Sequence, residues 1–153
     1  MTRGSAAGGA DRADGIAGHR AAVTWSLFVA GIPKSTRPGT LVISRTTGRP
    51  FVRKRNTGWA NRIAAAAQSF RPRSLLEGPL FVTLRFQLQK PVSGKAAKRQ
   101  YPEVRPDVER LGSGVLDSLQ GLVYRDDAQI CSLVLIKAYD KAPGVEITVE
   151  ELT

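Results

Sequence analysis

Hydrophobic residues recur with two different periods along this chain. Segment 81–88 alternates apolar and polar residues, which is the period of a half-buried strand. Segment 108–120 instead has apolar residues at spacings of three, four and four, which predicts an amphipathic helix ending at Gly121: Val108, Leu111, Val115 and Leu119. A helix is also predicted over about 57–70, with Asn56 as its N-cap and a similar apolar side: Trp59, Ile63, Ala66, Ala67 and Phe70.

Apolar runs between turn-forming residues predict the remaining strands. They cover 22–29, 41–44, 50–53, 128–139 and 145–149. The predicted order is therefore β-β-β-α-β-α-β-β, in which helices and strands do not strictly alternate. We expect an α+β fold, with a mixed β-sheet and two helices packed on one face.

The two ends of the predicted domain differ in composition. Residues 1–21 are rich in Gly, Ala and Asp and lack apolar periodicity, which predicts a disordered leader before a single domain over 22–153. Residues 90–106 are rich in Pro, Gly and Lys, which predicts a long basic loop. The chain has neither an apolar run long enough to cross a bilayer nor a secretory signal, so we expect a cytoplasmic protein without membrane contact.

The cysteine and histidine content excludes several kinds of chemistry. The single cysteine, Cys131, rules out a disulfide within the chain and argues against a cysteine-based zinc site. It lies in an apolar run, where we expect a small buried side chain. The only histidine, His19, falls in the leader, which argues against a histidine general base.

Charge is distributed unevenly along the chain. The net charge of +10 combines 3 bases and 2 acids in residues 1–30, 17 bases and 4 acids in residues 31–110, and 3 bases and 7 acids in residues 111–153. This arrangement indicates a surface that binds a polyanion, next to a site that needs carboxylates. A charged surface that only keeps the protein in solution is the alternative interpretation.

Four acidic residues lie near the second predicted helix. Asp107 follows Pro106 and is expected at or before the helix start, which is the condition for Glu109 to point to the same side. Asp126 and Asp127 directly precede the strand at 128–139. If that strand begins beside the helix start, three carboxylates meet, and a divalent cation such as Mg²⁺ or Mn²⁺ relieves their repulsion. Alternatively, Asp107 only caps the helix and Asp126-Asp127 only forms a turn.

The sequence around these acids resembles RusA-type Holliday junction resolvases. The resemblance spans about 23–151 and is strongest in three segments: Arg105-Pro106-Asp107-Val108-Glu109-Arg110-Leu111, Val115-Leu116-Asp117-Ser118-Leu119 and Val123-Tyr124-Arg125-Asp126-Asp127-Ala128-Gln129-Ile130. It implies a homodimer that binds four-way DNA and makes paired nicks with Mg²⁺, Mn²⁺ being a second possible ion. By motif position, the implied catalytic residues are Asp107, Glu109 and Asp127, and the implied metal ligands are these three with Asp126.

Three positions depart from the family pattern. Glu109 stands where an aspartate is usual, Arg110 where an asparagine is usual, and Ser113 where a basic residue is frequent. They motivate a second hypothesis, a non-catalytic module that binds junctions or other nucleic acids. A third hypothesis is a basic structural protein of a phage or plasmid, which would need no metal.

Basic side chains in predicted loops and short strands are the candidates for phosphate contacts, since such contacts position DNA without selecting bases. Tyr101 and Phe51 are candidates to stack on bases at a branch point, with ordinary packing as the alternative. The predicted DNA-binding residues are Lys34, Arg37, Arg49, Arg53, Lys54, Arg55, Lys95, Lys98, Arg99 and Arg110.

Overall fold

The structure, a computed structural model, describes residues 21–35, 40–53 and 57–153. The predicted leader, apart from Ala21, and the predicted N-cap Asn56 lie outside these residues. The strands are β1 (Ala21–Ala30), β2 (Thr40–Ile43), β3 (Pro50–Arg53), β4 (Leu80–Leu88), β5 (Ile130–Tyr139) and β6 (Gly144–Leu152), and the helices are α1 (Thr57–Ser69) and α2 (Val108–Leu119). Among the described residues, neither helix is long and apolar enough to cross a membrane.

Four strands form the main sheet in the order β1-β6-β4-β5. Strand β6 pairs antiparallel with both β1 and β4, whereas β4 and β5 run parallel. Strands β2 and β3 form a separate antiparallel hairpin. The expected mixed sheet with two helices is confirmed, and each predicted helix and strand is present with bounds that differ by at most three residues.

Both helices pack on one face of the sheet, as predicted. Alternate residues of β4 point to that face and are buried: Leu80, Val82, Leu84 and Phe86. They share one apolar core with Ile63 of α1 and with Leu111, Val115 and Leu119 of α2. The apolar stripe predicted for α2 therefore carries the contact with the core.

Helix α2 is the crossover that connects the parallel strands β4 and β5. In such a β-α-β unit the helix runs antiparallel to the strands, because the chain must return to the end of the sheet at which both parallel strands begin. The contact is close at Gly112, where an added Cβ atom would lie 2.9 Å from both terminal methyl carbons of Leu135. The start of α2 therefore lies towards the end of β5, and the end of α2 lies towards its start.

The exposure of Cys131 differs from the burial that the sequence predicted. This side chain was expected to be buried, but it is exposed. An uninterrupted apolar run is typical of a strand covered on both faces. Strand β5 is instead the edge strand of the sheet and has helices on one face only.

The close pairing of β1 with β6 at Gly144 gives a stability prediction. An added Cβ atom at Gly144 would lie 2.5 Å from the Val29 carbonyl oxygen and 2.6 Å from a ring carbon of Phe28. We expect Gly144→Ala to lower the free energy of unfolding by about 1–3 kcal/mol, because the backbone must shift. Urea unfolding measures this. The control is Gly58→Ala in α1, where nothing lies within 4 Å of the added atom; equal losses in both variants would contradict the prediction.

Candidate active site

Asp107 occupies the position that the sequence predicts, immediately before α2. Its backbone is extended (φ −68°, ψ 136°), and its side chain makes no capping hydrogen bond. The carboxylate instead lies 3.6 Å from the Arg110 guanidinium, measured from Oδ2 to Nε, and both side chains are about half exposed. The alternative in which Asp107 only caps the helix is therefore not supported, and its carboxylate remains accessible.

Lys137 holds the segment before Asp107. Its ammonium group donates hydrogen bonds to the carbonyl oxygens of Val104, at 2.8 Å, and Pro106, at 2.9 Å. A charged donor to two carbonyl groups of the segment before α2 fixes the backbone from which Asp107 projects. Sequence reasoning missed Lys137, although it is the only charged residue in the apolar strand β5.

Gln129 holds the turn that carries the other two aspartates. Its side-chain oxygen accepts hydrogen bonds from the backbone N–H groups of Arg125 (3.0 Å) and Asp126 (3.1 Å). Its side-chain nitrogen donates to the carbonyl oxygens of Leu76 (3.2 Å) and Gly78 (3.0 Å). One amide therefore satisfies four backbone groups and joins the turn to the segment before β4.

Asp126 and Asp127 have different surroundings within this turn. The Asp126 carboxylate accepts a hydrogen bond from the Ala128 N–H at 2.8 Å and completes a capping box with Gln129. Partial desolvation raises the pKa of Asp127, and a side-chain hydrogen bond with Asp126 and the charges of Asp126 and Asp117 raise it further. Both aspartates are exposed; the Asp126 carboxylate caps the turn, and the Asp127 carboxylate lies near those of Asp126 and Asp117.

Tyr124 fixes the last part of α2, next to the turn that carries Asp126 and Asp127. Its hydroxyl donates a 2.8 Å hydrogen bond to the carbonyl oxygen of Leu116, next to Asp117. Burial of the ring, followed by the charges of Asp127 and Asp117, raises the pKa of Tyr124. Asp117, to which the sequence motif assigns no role, therefore lies near Asp127 at the end of α2.

The five carboxylates fall into two groups at opposite ends of α2. Asp107 and Glu109, the amino-terminal pair, lie at the helix start, whereas Asp117, Asp126 and Asp127, the turn cluster, lie at its end. Ten residues of helix separate Asp107 from Asp117, a rise of about 15 Å. The expected meeting of Asp107, Glu109, Asp126 and Asp127 within one chain is not found, since β5 begins beside the helix end.

The carboxylates are suitable ligands for a divalent cation, but too few of them lie together in the described part of one chain to form a metal site. Carboxylate oxygens are the ligands that Mg²⁺ and Mn²⁺ prefer. However, no group of three His, Cys, Asp or Glu side chains that could hold a metal ion occurs among residues 21–35, 40–53 and 57–153. The catalytic and ligand roles assigned from the sequence therefore remain predictions.

Comparison with known proteins identifies the family. The family model described as "Endodeoxyribonuclease RusA" matches residues 33–150, which is most of the chain. The chain belongs to the RusA endodeoxyribonuclease family. A similar protein, described as "Uncharacterized protein YqaN" from Bacillus subtilis (strain 168), is 30% identical over 100 residues, which cover 60% of this chain and 70% of the relative. The RusA family is one of Holliday junction resolvases, so at the family level the chain is a DNA endonuclease.

The structure locates part of the predicted DNA-binding set of this RusA-family chain. Lys34, Arg49, Lys95 and Lys98 are exposed, Arg99 is partly exposed, and Arg110 pairs with Asp107. Arg53 ends β3, while Arg37, Lys54 and Arg55 lie outside the described residues. Tyr101 and Phe51 are exposed by 65% and 45%, which argues against the alternative that they only pack in the core.

The Gln129 network gives a prediction about the turn. In Gln129→Glu, a carboxylate oxygen replaces the amide nitrogen that donates to Leu76 and Gly78. We expect the free energy of unfolding to fall by about 1–3 kcal/mol at pH 7, because two carbonyl groups lose their donor and face a negative charge. Chemical denaturation measures this. Gln89→Glu, in the exposed loop after β4, is the control; a turn variant as stable as this control would contradict the assigned role.

Proposed function

We propose that this RusA-family protein is a structure-selective endonuclease that resolves Holliday junctions. In this proposal it acts as a homodimer, binds four-way DNA, and makes paired hydrolytic nicks with Mg²⁺, or with Mn²⁺ in its place. Its function would be to separate the DNA duplexes that a four-way junction joins during recombination and repair. Asp107, Glu109 and Asp127 would be the catalytic carboxylates, and Asp126 would support them.

The D-D-A-Q turn is the observation that carries this proposal. Gln129 and Asp126 bind several backbone groups of the turn, and these hydrogen bonds hold the segment from which Asp127 projects. Partial desolvation raises the pKa of Asp127, and a hydrogen bond with Asp126 and the charges of Asp126 and Asp117 raise it further. A bound cation would relieve this repulsion. Anionic crowding on this hydrogen-bonded turn favours a metal-binding role over a purely structural one.

The metal ion would supply charge compensation at the phosphodiester and a more acidic water molecule. The protein's own contribution would be to fix the carboxylates and to hold the DNA. Lys137 fixes the backbone before Asp107, and Gln129 fixes the backbone around Asp127. Both are therefore proposed as positioning residues.

The basic residues would bind the DNA arms through their phosphates. Lys95 and Lys98 are exposed on one short 3-10 turn, and Arg49 is exposed on the β2–β3 hairpin. Contacts of this kind recognise the shape of a junction rather than its sequence. They also make affinity strongly dependent on salt concentration.

Asp127→Asn is the variant that tests this function. We expect the wild type to nick a labelled four-way junction with Mg²⁺ or Mn²⁺, and the variant to lose at least about 100-fold in nicking rate. Binding to the junction should persist, because the exposed bases are unchanged. Gel assays of cleavage and of binding measure the two properties separately.

Asp140→Asn is the matched control. Asp140 is an exposed aspartate beyond the other end of β5, where its carboxylate accepts a hydrogen bond from the Ala142 N–H. This variant should cut like the wild type. If the wild type cuts no branched DNA across metals and pH values, the proposed function is wrong.

One observation favours a second candidate, a non-catalytic module that binds junctions. Arg110 replaces the usual asparagine and already pairs with Asp107. An arginine in this position can neutralise a carboxylate that a metal would otherwise use. Under this hypothesis the wild type binds junctions without cutting them, and Asp127→Asn changes neither property.

A further inference from the structure

A cavity of about 390 Å³ opens at the end of the parallel strands β4 and β5. We call it the strand-end cavity. It is lined by residues at or just after the ends of these two strands: Gln89, Lys90, Tyr139, Asp140 and Lys141. None of them belongs to the DNA-binding set predicted from the sequence.

The turn after β5 forms one wall of the cavity, because it must cross the end of β4. Strand β6 follows β5 in the chain but lies on the other side of β4 in the sheet. The Asp140 N–H donates to the Leu88 carbonyl oxygen at 2.9 Å, and the Pro143 carbonyl oxygen accepts from the Gly31 N–H at 3.0 Å. These hydrogen bonds hold the turn across the ends of β4 and β1. Crevices beyond the carboxyl ends of strands are the usual ligand sites of open α/β sheets.

Two lysines in the cavity have no acidic partner. Lys90 and Lys141 are exposed, and neither forms an ion pair or a hydrogen bond with any other residue that the structure describes. The Asp140 carboxylate pairs with neither lysine and instead accepts a hydrogen bond from the Ala142 N–H at 3.1 Å, so it serves the turn. Two unpaired ammonium groups on one cavity favour a phosphate, which accepts charged hydrogen bonds from both.

Tyr139 gives the cavity an aromatic side. Its ring is partly exposed and lines the cavity. The cavity volume lies within the range of about 300–1,000 Å³ that small-molecule sites occupy, and it is larger than a phosphate group alone requires. An aromatic ring beside unpaired cations is the combination on which proteins stack an unpaired base and hold its phosphate.

The cavity adjoins the segment that carries Asp107. Lys137, two residues before Tyr139 on β5, binds the carbonyl oxygens of Val104 and Pro106. Two residues of a strand span about 7 Å. A DNA strand that contacts Asp107 can therefore place a neighbouring nucleotide in the cavity.

We propose that the strand-end cavity binds one unpaired nucleotide of a DNA junction, with its phosphate between Lys90 and Lys141 and its base against the Tyr139 ring. This inference rests on the proposed function, because bases leave the paired helix most easily at a branch point. In a linear duplex, the cost of unpairing and unstacking a base keeps the cavity empty. The cavity therefore distinguishes branched DNA from linear DNA.

Tyr139→Leu tests the contact with the base. Fluorescence anisotropy in EDTA, which prevents metal-dependent cutting, measures binding to a labelled four-way junction and to a linear duplex of the same sequence. The variant should bind the junction about tenfold more weakly and the duplex as the wild type does. Tyr139→Phe keeps the ring and should bind both DNAs like the wild type. Unchanged junction affinity in Tyr139→Leu, or an equal loss on the duplex, would overturn the inference.

Lys90→Gln and Lys141→Gln test the contact with the phosphate. Each variant should bind the junction about fivefold more weakly, and the slope of log affinity against log salt concentration should fall by about 1. The matched control is Arg85→Gln, which removes one positive charge from an exposed residue on the other face of β4. An equal loss of affinity in this control would assign the effect to net charge and overturn the inference.

A photo-crosslink locates the nucleotide directly. A junction with 4-thiothymidine at the branch point is irradiated with the wild type, and mass spectrometry should place the crosslink at Tyr139. Crosslinks confined to residues outside the cavity would overturn the inference. Free nucleotides are the other source of the same chemistry. Calorimetric binding of thymidine monophosphate, together with unchanged junction affinity in the Tyr139 and lysine variants, would also overturn it.

Binding measured without metal separates this inference from the proposed function. A wild type that cuts no branched DNA, but loses junction affinity in the Tyr139 and lysine variants, would refute the nuclease and support the cavity. A wild type that cuts junctions, with variants that bind them equally well, would refute the cavity alone.

Discussion

The parallel pairing of β4 with β5 is the constraint on which the rest of the structure depends. Parallel neighbours require a crossover, and α2 supplies it by packing against β5 at Gly112 and Leu135. The segment before the helix and the segment after it must then lie at opposite ends of the strands. Because the motif acids flank α2 on both sides, the same crossover that buries the core also divides the carboxylates into two groups.

Dedicated side chains hold each group in place. Lys137 reaches from β5 to the backbone before Asp107, and Gln129 joins the D-D-A-Q turn to the segment that leads into β4. Both use hydrogen bonds to backbone groups, which fix position without occupying the carboxylates. The result is two separately held groups of carboxylates at opposite ends of α2.

The sequence predicted the local structure well, because local structure depends on short-range patterns. The stripe Val108, Leu111, Val115 and Leu119 located α2, and Pro106 correctly predicted that Asp107 precedes the helix. The motif resemblance also led to the right family. These inferences use neighbouring residues only, so they did not depend on how the strands pair.

The arrangement of the site could not be predicted in the same way. Whether Asp127 lies beside the start or the end of α2 depends on β4 and β5 being parallel neighbours, which periodicity does not reveal. The burial expected for Cys131 was wrong for a related reason, since an apolar run does not show that β5 is an edge strand. Lys137 was detectable as a lone charge in an apolar strand, but its partners were not.

Anomalous diffraction from crystals grown with Mn²⁺ tests the central claim most directly, because it locates the ion and its ligands together. The account predicts an ion bound to the Asp127 carboxylate, with α2 still packed against β5 at Gly112 and Leu135. Crystals that hold no Mn²⁺ at Asp127 would contradict it.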